Sequence, residues 1–271
     1  LATTTSLYDT GLLGHLEPIF EERYNVDLRI ISAGTGRAIR HAKDGDVCVL
    51  LVHARAREDA FVEDGFGINR RCIAYNNFLI IGPPGDPAGV RGMTPPEAFT
   101  KIKEAGIQEP GQVRFVSRGD DSGTHIREIA IWTAGGHDYE ADIRGGAWYV
   151  EAGAGMGATL RMANEKSAYT LVDIGTFLAF VGELDLVPIV EEGEGLLNPY
   201  GVIAVNPEKH PHVNIDMANN FIAFLMTEEI QREIHEFGFE EHGRHLFYKI
   251  AGRCYEIGCP TWELCKTPPA A

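Results

Sequence analysis

Apolar residues fall along this chain in two alternating patterns. Short runs that are unbroken or alternate with polar residues read as strands. They are Val26-Asp27-Leu28-Arg29-Ile30-Ile31, Val47-Cys48-Val49-Leu50-Leu51-Val52, Asn77-Phe78-Leu79-Ile80-Ile81-Gly82, and residues 113–116, 169–172 and 202–205. Between them lie stretches with helical spacing. Leu12, Leu13, Leu16, Ile19 and Phe20 share one face behind Asp9 or Thr10 as a cap, and Pro18 is expected to kink or end that helix. Further helices are predicted over residues 37–43, from Pro95 behind Thr94, and over residues 126–132, 158–164, 174–180 behind Asp173, 217–226 and 228–237. Unbroken runs suit a sheet covered on both faces, and strand–helix alternation at this spacing predicts a parallel α/β sheet. Around residues 83–92 the composition shifts to proline and glycine, which marks a connection. No internal repeat is visible.

Composition narrows the function classes. The 271 residues are 44% hydrophobic and 23% charged, as in ordinary globular proteins, and form one large domain or two smaller ones. No apolar run is long enough to span a membrane. A net charge of −15 argues against nucleic acid or an anionic membrane surface as partner. It does not argue against an anion held in a buried site, where local donors outweigh screened surface charge. Of five cysteines, Cys254, Cys259 and Cys265 cluster near the C-terminus while Cys48 and Cys72 stand apart. No Cys-x2-Cys pair occurs, so a zinc site is not expected. One or two disulfides can form, and spacing leaves their pairing open. The start, Leu1-Ala2-Thr3-Thr4-Thr5-Ser6, has neither a basic nor an apolar leader, so a signal sequence was either never present or has been removed.

The densest candidate chemistry is Ser117-Arg118-Gly119-Asp120-Asp121-Ser122-Gly123-Thr124-His125. It lies between a predicted strand and a predicted helix, so Ser122, Gly123 and Thr124 open that helix. The first N–H groups of a helix lack intrahelical partners and carry partial positive charge. Hydroxyls and a glycine there can surround an anion, and Arg118 adds a full charge with a planar fork of donors. Asp120 or Asp121 can orient that fork. The plainer alternative is a serine cap beside a surface ion pair.

Four places put hydroxyls or glycines between strand and helix: residues 3–6, Gly34-Thr35-Gly36, Ser122-Gly123-Thr124 and Gly155-Met156-Gly157. At these places, through residues 117–125, at Val49-Leu50-Leu51-Val52-His53-Ala54 and at Asn198-Pro199-Tyr200-Gly201-Val202, the chain resembles the TupA family of periplasmic tungstate-binding proteins of ABC importers. The resemblance implies a type II periplasmic-binding fold. Two Rossmann-like α/β lobes, residues 1–82 with 200–271 and residues 83–199, would be joined by two crossing strands, with the ligand in the cleft. Carried over by position, Thr5 and Ser6 donate from the first lobe, with Thr4 as a further member and Thr35 facing them. Arg118, Ser122, Gly123 and Thr124 donate from the second, with the Met156 backbone. His53 ends a buried strand at the expected cleft edge, where a structural histidine is the plainer reading. The implied function is capture of a tetrahedral oxyanion, tungstate or molybdate, for delivery to the membrane permease of an ABC importer. The protein would be a monomer in the periplasm or anchored outside the cell. It would have no cofactor, no catalysis, and no metal except as the oxyanion. The chain departs from the family at Val172-Asp173-Ile174-Gly175-Thr176, where the family reads Thr-Asp-Arg-Gly-Thr, and in the tail from Ala251, which reads as a small disulfide staple.

Three alternatives carry specific features. A phosphate- or sulfate-binding protein of the same fold is one alternative, and phosphate-binding proteins of related fold share an Arg-x3-Ser-Gly-Thr pattern. Phosphate keeps a proton near neutral pH and needs an acceptor, which a shell of hydroxyls, N–H groups and Arg118 lacks unless Asp120 or Asp121 reaches it. A serine hydrolase could use Ser122 with His125, although Asp120-Asp121-Ser122-Gly123-Thr124 is not a Gly-x-Ser-x-Gly elbow. A cytoplasmic sensor could use the same binding fold.

Overall fold

In the computed structural model, residues 1–109, 111–250 and 267–269 are described. The chain opens with β1 (Ala2–Thr4), α1 (Thr5–Asp9), α2 (Leu12–Tyr24), β2 (Ile31–Ala33), α3 (Thr35–Asp44), β3 (Val49–Val52), α4 (Arg55–Glu63) and the long β4 (Gly67–Gly82). Next come α5 (Pro95–Gln108), β5 (Phe115–Ser117), α6 (Gly123–Ala134), β6 (Tyr149–Glu151), α7 (Met156–Glu165), β7 (Thr170–Asp173), α8 (Ile174–Phe180) and β8 (Val187–Val190). The last described elements are β9 (Leu197–Val205), α9 (Ile215–Met226), α10 (Glu228–Glu236) and α11 (Phe239–His242). The fold is α/β in two compact units, residues 1–76 with 198–271 and residues 77–197. Strands β4 and β9 carry the chain from one unit to the other. No described helix is long and apolar enough to cross a membrane.

In the first unit β1 lies between β2 and β3 and is parallel to both, from Ala2↔Ile31 on one side and Ala2↔Leu50 on the other. β9 then pairs antiparallel with β3, and β4 follows it. Ala2, Leu50, Val52, Ile203 and Val205 meet Ala38, Ala42 and Phe61 in the core. The second unit uses the same order. β5 pairs parallel with β6, and on its other side Val116 N–H donates to Tyr169 O at the start of β7. Its core is aromatic, with Phe78, Phe99, Phe115, Trp132, Trp148 and Tyr169. In each unit the chain lays down the middle strand first, then one neighbour, then the other.

Some sequence expectations require correction. The sheets are mixed rather than wholly parallel, because β7 and β8 run antiparallel to β4 and β9 antiparallel to β3. The strand expected over residues 26–31 forms only at Ile31–Ala33. Its partner β1 pairs with those three residues alone, and the preceding stretch is held by Leu28 N–H donating to Glu21 Oε1 (2.7 Å) and the Leu1 ammonium donating to Arg29 O (2.9 Å). Helix α2 runs through Pro18 to Tyr24, because Leu12, Leu13, Leu16 and Phe20 bury one continuous face. Its N-cap is Gly11 rather than Asp9 or Thr10, with Thr10 Oγ1 accepting from Leu12 N–H at 3.3 Å. The first half of β4 escaped the reading because Asn69, Arg70 and Arg71 break the apolar pattern. Cys254, Cys259 and Cys265, with the expected staple, lie outside the described residues.

One buried ion pair fixes the end of β3. Glu58 is fully buried in α4; its Oε1 accepts from Ala54 N–H (2.8 Å) and its Oε2 from Arg70 Nε (2.9 Å) and Nη2 (2.6 Å). Gly201 of β9 lies against this pair. A Cβ there would overlap Glu58 Oε2 and stand 3.1 Å from Arg70 Nη2. Separating a buried ion pair costs about 3–5 kcal/mol. Gly201→Ala is therefore expected to lose stability of that order in urea denaturation; unchanged stability would show that Glu58 can move aside.

Candidate functional site

In the first unit the donors sit at the C-terminal ends of the parallel strands. Ligands of open α/β sheets bind there, where the strand order reverses. With β2 and β3 on opposite sides of β1, the reversal lies at β1 and β3. After β1 come Thr4, Thr5 and Ser6; after β2, Thr35 opens α3 behind the extended Gly34; after β3 comes His53. Thr4 spends its Oγ1 as a helix cap, accepting from Leu7 N–H at 3.3 Å. Ser6 Oγ lies 3.2 Å from Thr4 Oγ1 and 3.0 Å from His53 Nε2. His53 Nδ1 faces Asn198 Oδ1 at 2.9 Å, and its ring stacks on Tyr200. Thr4, Ser6, Thr35 and His53 are buried, and Thr5 is half-buried.

The second unit repeats this placement with a charge added. The loop after β5 carries Arg118, and two backbone hydrogen bonds tie it to the turn after β6: Ala152 N–H to Ser117 O (2.8 Å) and Gly153 N–H to Arg118 O (2.9 Å). That turn leads through Gly155 to Met156, the first residue of α7. The loop needs its glycine. Gly119 has φ +59°, and a Cβ there would come within 2.7 Å of Glu151 Cβ. Asp121 also has φ +59°, a conformation that aspartate tolerates better than most residues. Asp120 closes the loop, accepting from Arg118 Nη2 (2.5 Å) through Oδ2 and from Ser122 N–H (3.2 Å) through Oδ1. Ser122 caps α6 by accepting from His125 N–H at 3.2 Å.

Two donors in this loop are left over. Arg118 is 4% exposed and Thr124 is 2% exposed, yet Arg118 Nε and Thr124 Oγ1 have no hydrogen-bond partner among the described residues. A buried donor without an acceptor costs about 1–3 kcal/mol, so native proteins keep few of them. An anionic oxygen would satisfy both.

Beneath the loop lies a second buried carboxylate that sequence reading missed. Glu128 of α6 accepts from Ser117 Oγ (2.6 Å), Tyr149 OH (2.6 Å) and Trp132 Nε1 (3.2 Å). Ser117 Oγ in turn accepts from Gly119 N–H (3.1 Å), so Glu128 holds the loop from below. Burial outweighs these donors and pushes its carboxyl up to about 7.

All nine expected oxyanion ligands therefore lie at strand-to-helix junctions. Thr4, Thr5, Ser6 and Thr35 fall in the first unit, and Arg118, Ser122, Gly123, Thr124 and Met156 in the second. Ile174, where the family has arginine, is buried in α8, behind Asp173 as its cap. The hydrolase pairing is not formed. His125 Nδ1 accepts from Asp121 N–H (3.1 Å) and its Nε2 faces Tyr139 OH (2.8 Å), so neither ring nitrogen serves Ser122. Burial lowers the His125 pKa, which suits the neutral ring this arrangement requires. Among the described residues no cluster could hold a metal ion.

Comparison with known proteins gives the family of the chain. The family model for the PBP superfamily domain matches residues 1–229. Tungstate-binding protein TupA of Peptoclostridium acidaminophilum is 42% identical over 253 residues, which cover 93% of this chain and 86% of that protein. The solved structure of the tungstate ABC transporter from Geobacter sulfurreducens is 45% identical with a TM-score of 0.77, covering 87% of this chain and 97% of that one. The tungstate-binding protein TupA from Desulfovibrio alaskensis is 40% identical with a TM-score of 0.78, covering 92% and 96%.

Glu128 generates a pH prediction. The unfolded chain gives up this proton near 4.5, whereas the folded protein holds it to about 7. The stability gained from holding it is complete below the lower value and is lost as pH rises through the upper one. Glu128→Gln keeps a neutral group that can still meet Ser117, Tyr149 and Trp132. Relative to the parent, this variant should gain up to about 3 kcal/mol between pH 5 and pH 8, read from melting curves. A gap that does not widen with pH would mean that Glu128 is ionised in the folded protein throughout.

Proposed function

The chain belongs to the PBP superfamily domain family and to its tungstate-binding TupA members, and from that premise we propose that it is an extracytoplasmic solute-binding protein for a tetrahedral oxyanion, tungstate or molybdate. It would deliver this oxyanion to the membrane permease of an ABC importer. The observation that carries the reading is a buried pair of donors, Arg118 Nε and Thr124 Oγ1, with no hydrogen-bond partner among the described residues. In this proposal one oxyanion takes charge-assisted hydrogen bonds from Arg118, further donors from Ser122, Gly123, Thr124 and the Met156 backbone, and hydroxyls from Thr5, Ser6 and Thr35, with Thr4 acting through its cap. The protein would act as a monomer, in the periplasm or tethered at the outer face of the membrane, with no catalytic step.

The donor set of the second unit favours a fully deprotonated oxyanion over phosphate. Arg118 Nε and Thr124 Oγ1 have hydrogen to present, and Asp120 is engaged with its own loop, accepting from Arg118 and from Ser122 N–H. Phosphate near neutral pH brings a proton that needs an acceptor.

Titration calorimetry of tungstate, molybdate, sulfate and phosphate tests the assignment. Tungstate and molybdate are expected to bind tightest; tightest binding of phosphate would overturn it. Losing one partner of a buried charge pair costs about 2–5 kcal/mol, so Arg118→Ala should weaken tungstate binding roughly 30- to several-thousand-fold. Ser122→Ala removes a neutral donor and should cost about 1–3 kcal/mol of binding. It should also cost about 0.5–2 kcal/mol of folding stability, from the lost cap on α6. If Arg118→Ala binds like the parent, the site lies on another loop.

A further inference from the structure

We propose that Glu128 is a positioning residue whose charge sets the affinity of the Arg118 loop, so that an oxyanion held by Arg118 and Thr124 is bound together with one proton on the Glu128 carboxyl. This rests on the reading of Arg118 and Thr124 as ligand donors.

Glu58 and Glu128 are both buried on helices, but only Glu58 meets a cation, Arg70, through two N–H groups. Among the described residues Glu128 meets neutral donors alone: Ser117 Oγ, Tyr149 OH and Trp132 Nε1. Arg118, one residue beyond Ser117, is paired with Asp120. A buried negative charge without a counter-charge is costly, and this cost holds the Glu128 carboxyl up at about 7. Helix α6 places that charge near the ligand. Thr124 and Glu128 are four residues apart on it, so they share a face with Cβ atoms roughly 5–6 Å apart. On the loop side, Ser117 Oγ donates to Glu128 and accepts from Gly119 N–H, two hydrogen bonds from carboxylate to loop backbone. An arriving dianion and an ionised Glu128 therefore repel at short range among buried groups, where screening is weak.

The network accepts a proton without moving the loop. With Glu128 ionised, Tyr149 OH donates to its Oε1 (2.6 Å). On binding, one proton from solvent forms an O–H bond at Oε1. That O–H donates to the Tyr149 oxygen, and the Tyr149 hydrogen turns to Tyr139 OH, 3.1 Å away. Tyr139 keeps its own donation to Glu151 Oε1 (3.0 Å) and its contact with His125 Nε2 (2.8 Å). Oε2 remains an acceptor for Ser117, so Gly119 N–H stays held. Only the charge changes: Glu128 loses its negative charge as the oxyanion brings its own. The other charged groups around this network are Glu151 of β6, which adds to the cost of ionising Glu128, Arg144, which pairs with Glu151 (3.4 Å), and Asp120 and Asp121 of the loop, beside His125.

The test is calorimetry of tungstate, dianionic throughout the range, in buffers of low and high ionisation heat between about pH 6.5 and about pH 9. In the parent, uptake should rise above about pH 7 toward one proton per tungstate, and the apparent Kd should rise there by up to about tenfold per pH unit. Glu128→Gln has the shape of the protonated carboxyl and does not titrate. It should bind with this uptake lost and a correspondingly flatter profile. Tyr149→Phe removes a donor that favours the ionised carboxylate, so its inflection should move to higher pH; it serves as the readout if Glu128→Gln fails to fold. A role confined to folding the loop would change affinity by the same factor at every pH. A parent that binds tungstate without proton uptake, the same uptake in Glu128→Gln, or an inflection that Tyr149→Phe leaves in place overturns the role of Glu128 and leaves the oxyanion site standing. A parent that binds no tungstate overturns the underlying reading instead.

Discussion

A guanidinium that is 4% exposed must be surrounded by acceptors, and the second unit is arranged around that requirement for Arg118. Asp120 supplies one partner and is itself locked by Ser122 N–H. Gly119 and Asp121 adopt left-handed conformations that bring this carboxylate back over the arginine. Glu128, through Ser117, anchors the start of the same loop. Together they hold the side chain of Arg118 while its Nε stays without an acceptor among the described residues. That pre-organisation lowers the entropy cost of capturing a ligand, because the donors are oriented before it arrives.

The two units solve one problem in two ways. Both lay down the middle strand first and then its neighbours, so both create a reversal of strand order with helix starts around it. In the second unit the loop after the middle strand carries a full positive charge. In the first, the corresponding loop carries only hydroxyls, and its partner after the third strand is His53. The chain has a net charge of −15, so selectivity for an anion comes from these local donors rather than from the long-range field.

Features determined within a few residues were legible in the sequence. Ser122, Thr94 and Asp173 cap helices where their positions predict, because a cap depends only on the next turn. The Arg118 loop was legible because its donors are consecutive. Features that depend on distant partners were not. The length of β2 follows from β1, and the mixed sheets follow from which strands β4 and β9 meet. Glu128 looks like any polar residue on a helix until Ser117, Trp132 and Tyr149 close over it from the strands and from its own helix. His53 could be placed at a strand end, but its hydrogen-bond partner Asn198 lies far along the chain on β9. The order shared by the two units left no sequence repeat, because strand order is set by pairing rather than by residue identity.

The central claim is that one tetrahedral oxyanion is bound by the donors at these strand ends, with Arg118 and Thr124 satisfied by its oxygens. Crystals grown with tungstate and measured at a tungsten absorption edge locate the metal directly from its anomalous signal. The account predicts a single tungsten position whose oxygens lie within hydrogen-bonding distance of Arg118 Nε and Thr124 Oγ1. A tungsten position away from the Arg118 loop, with Arg118 Nε and Thr124 Oγ1 still without partners, would contradict it.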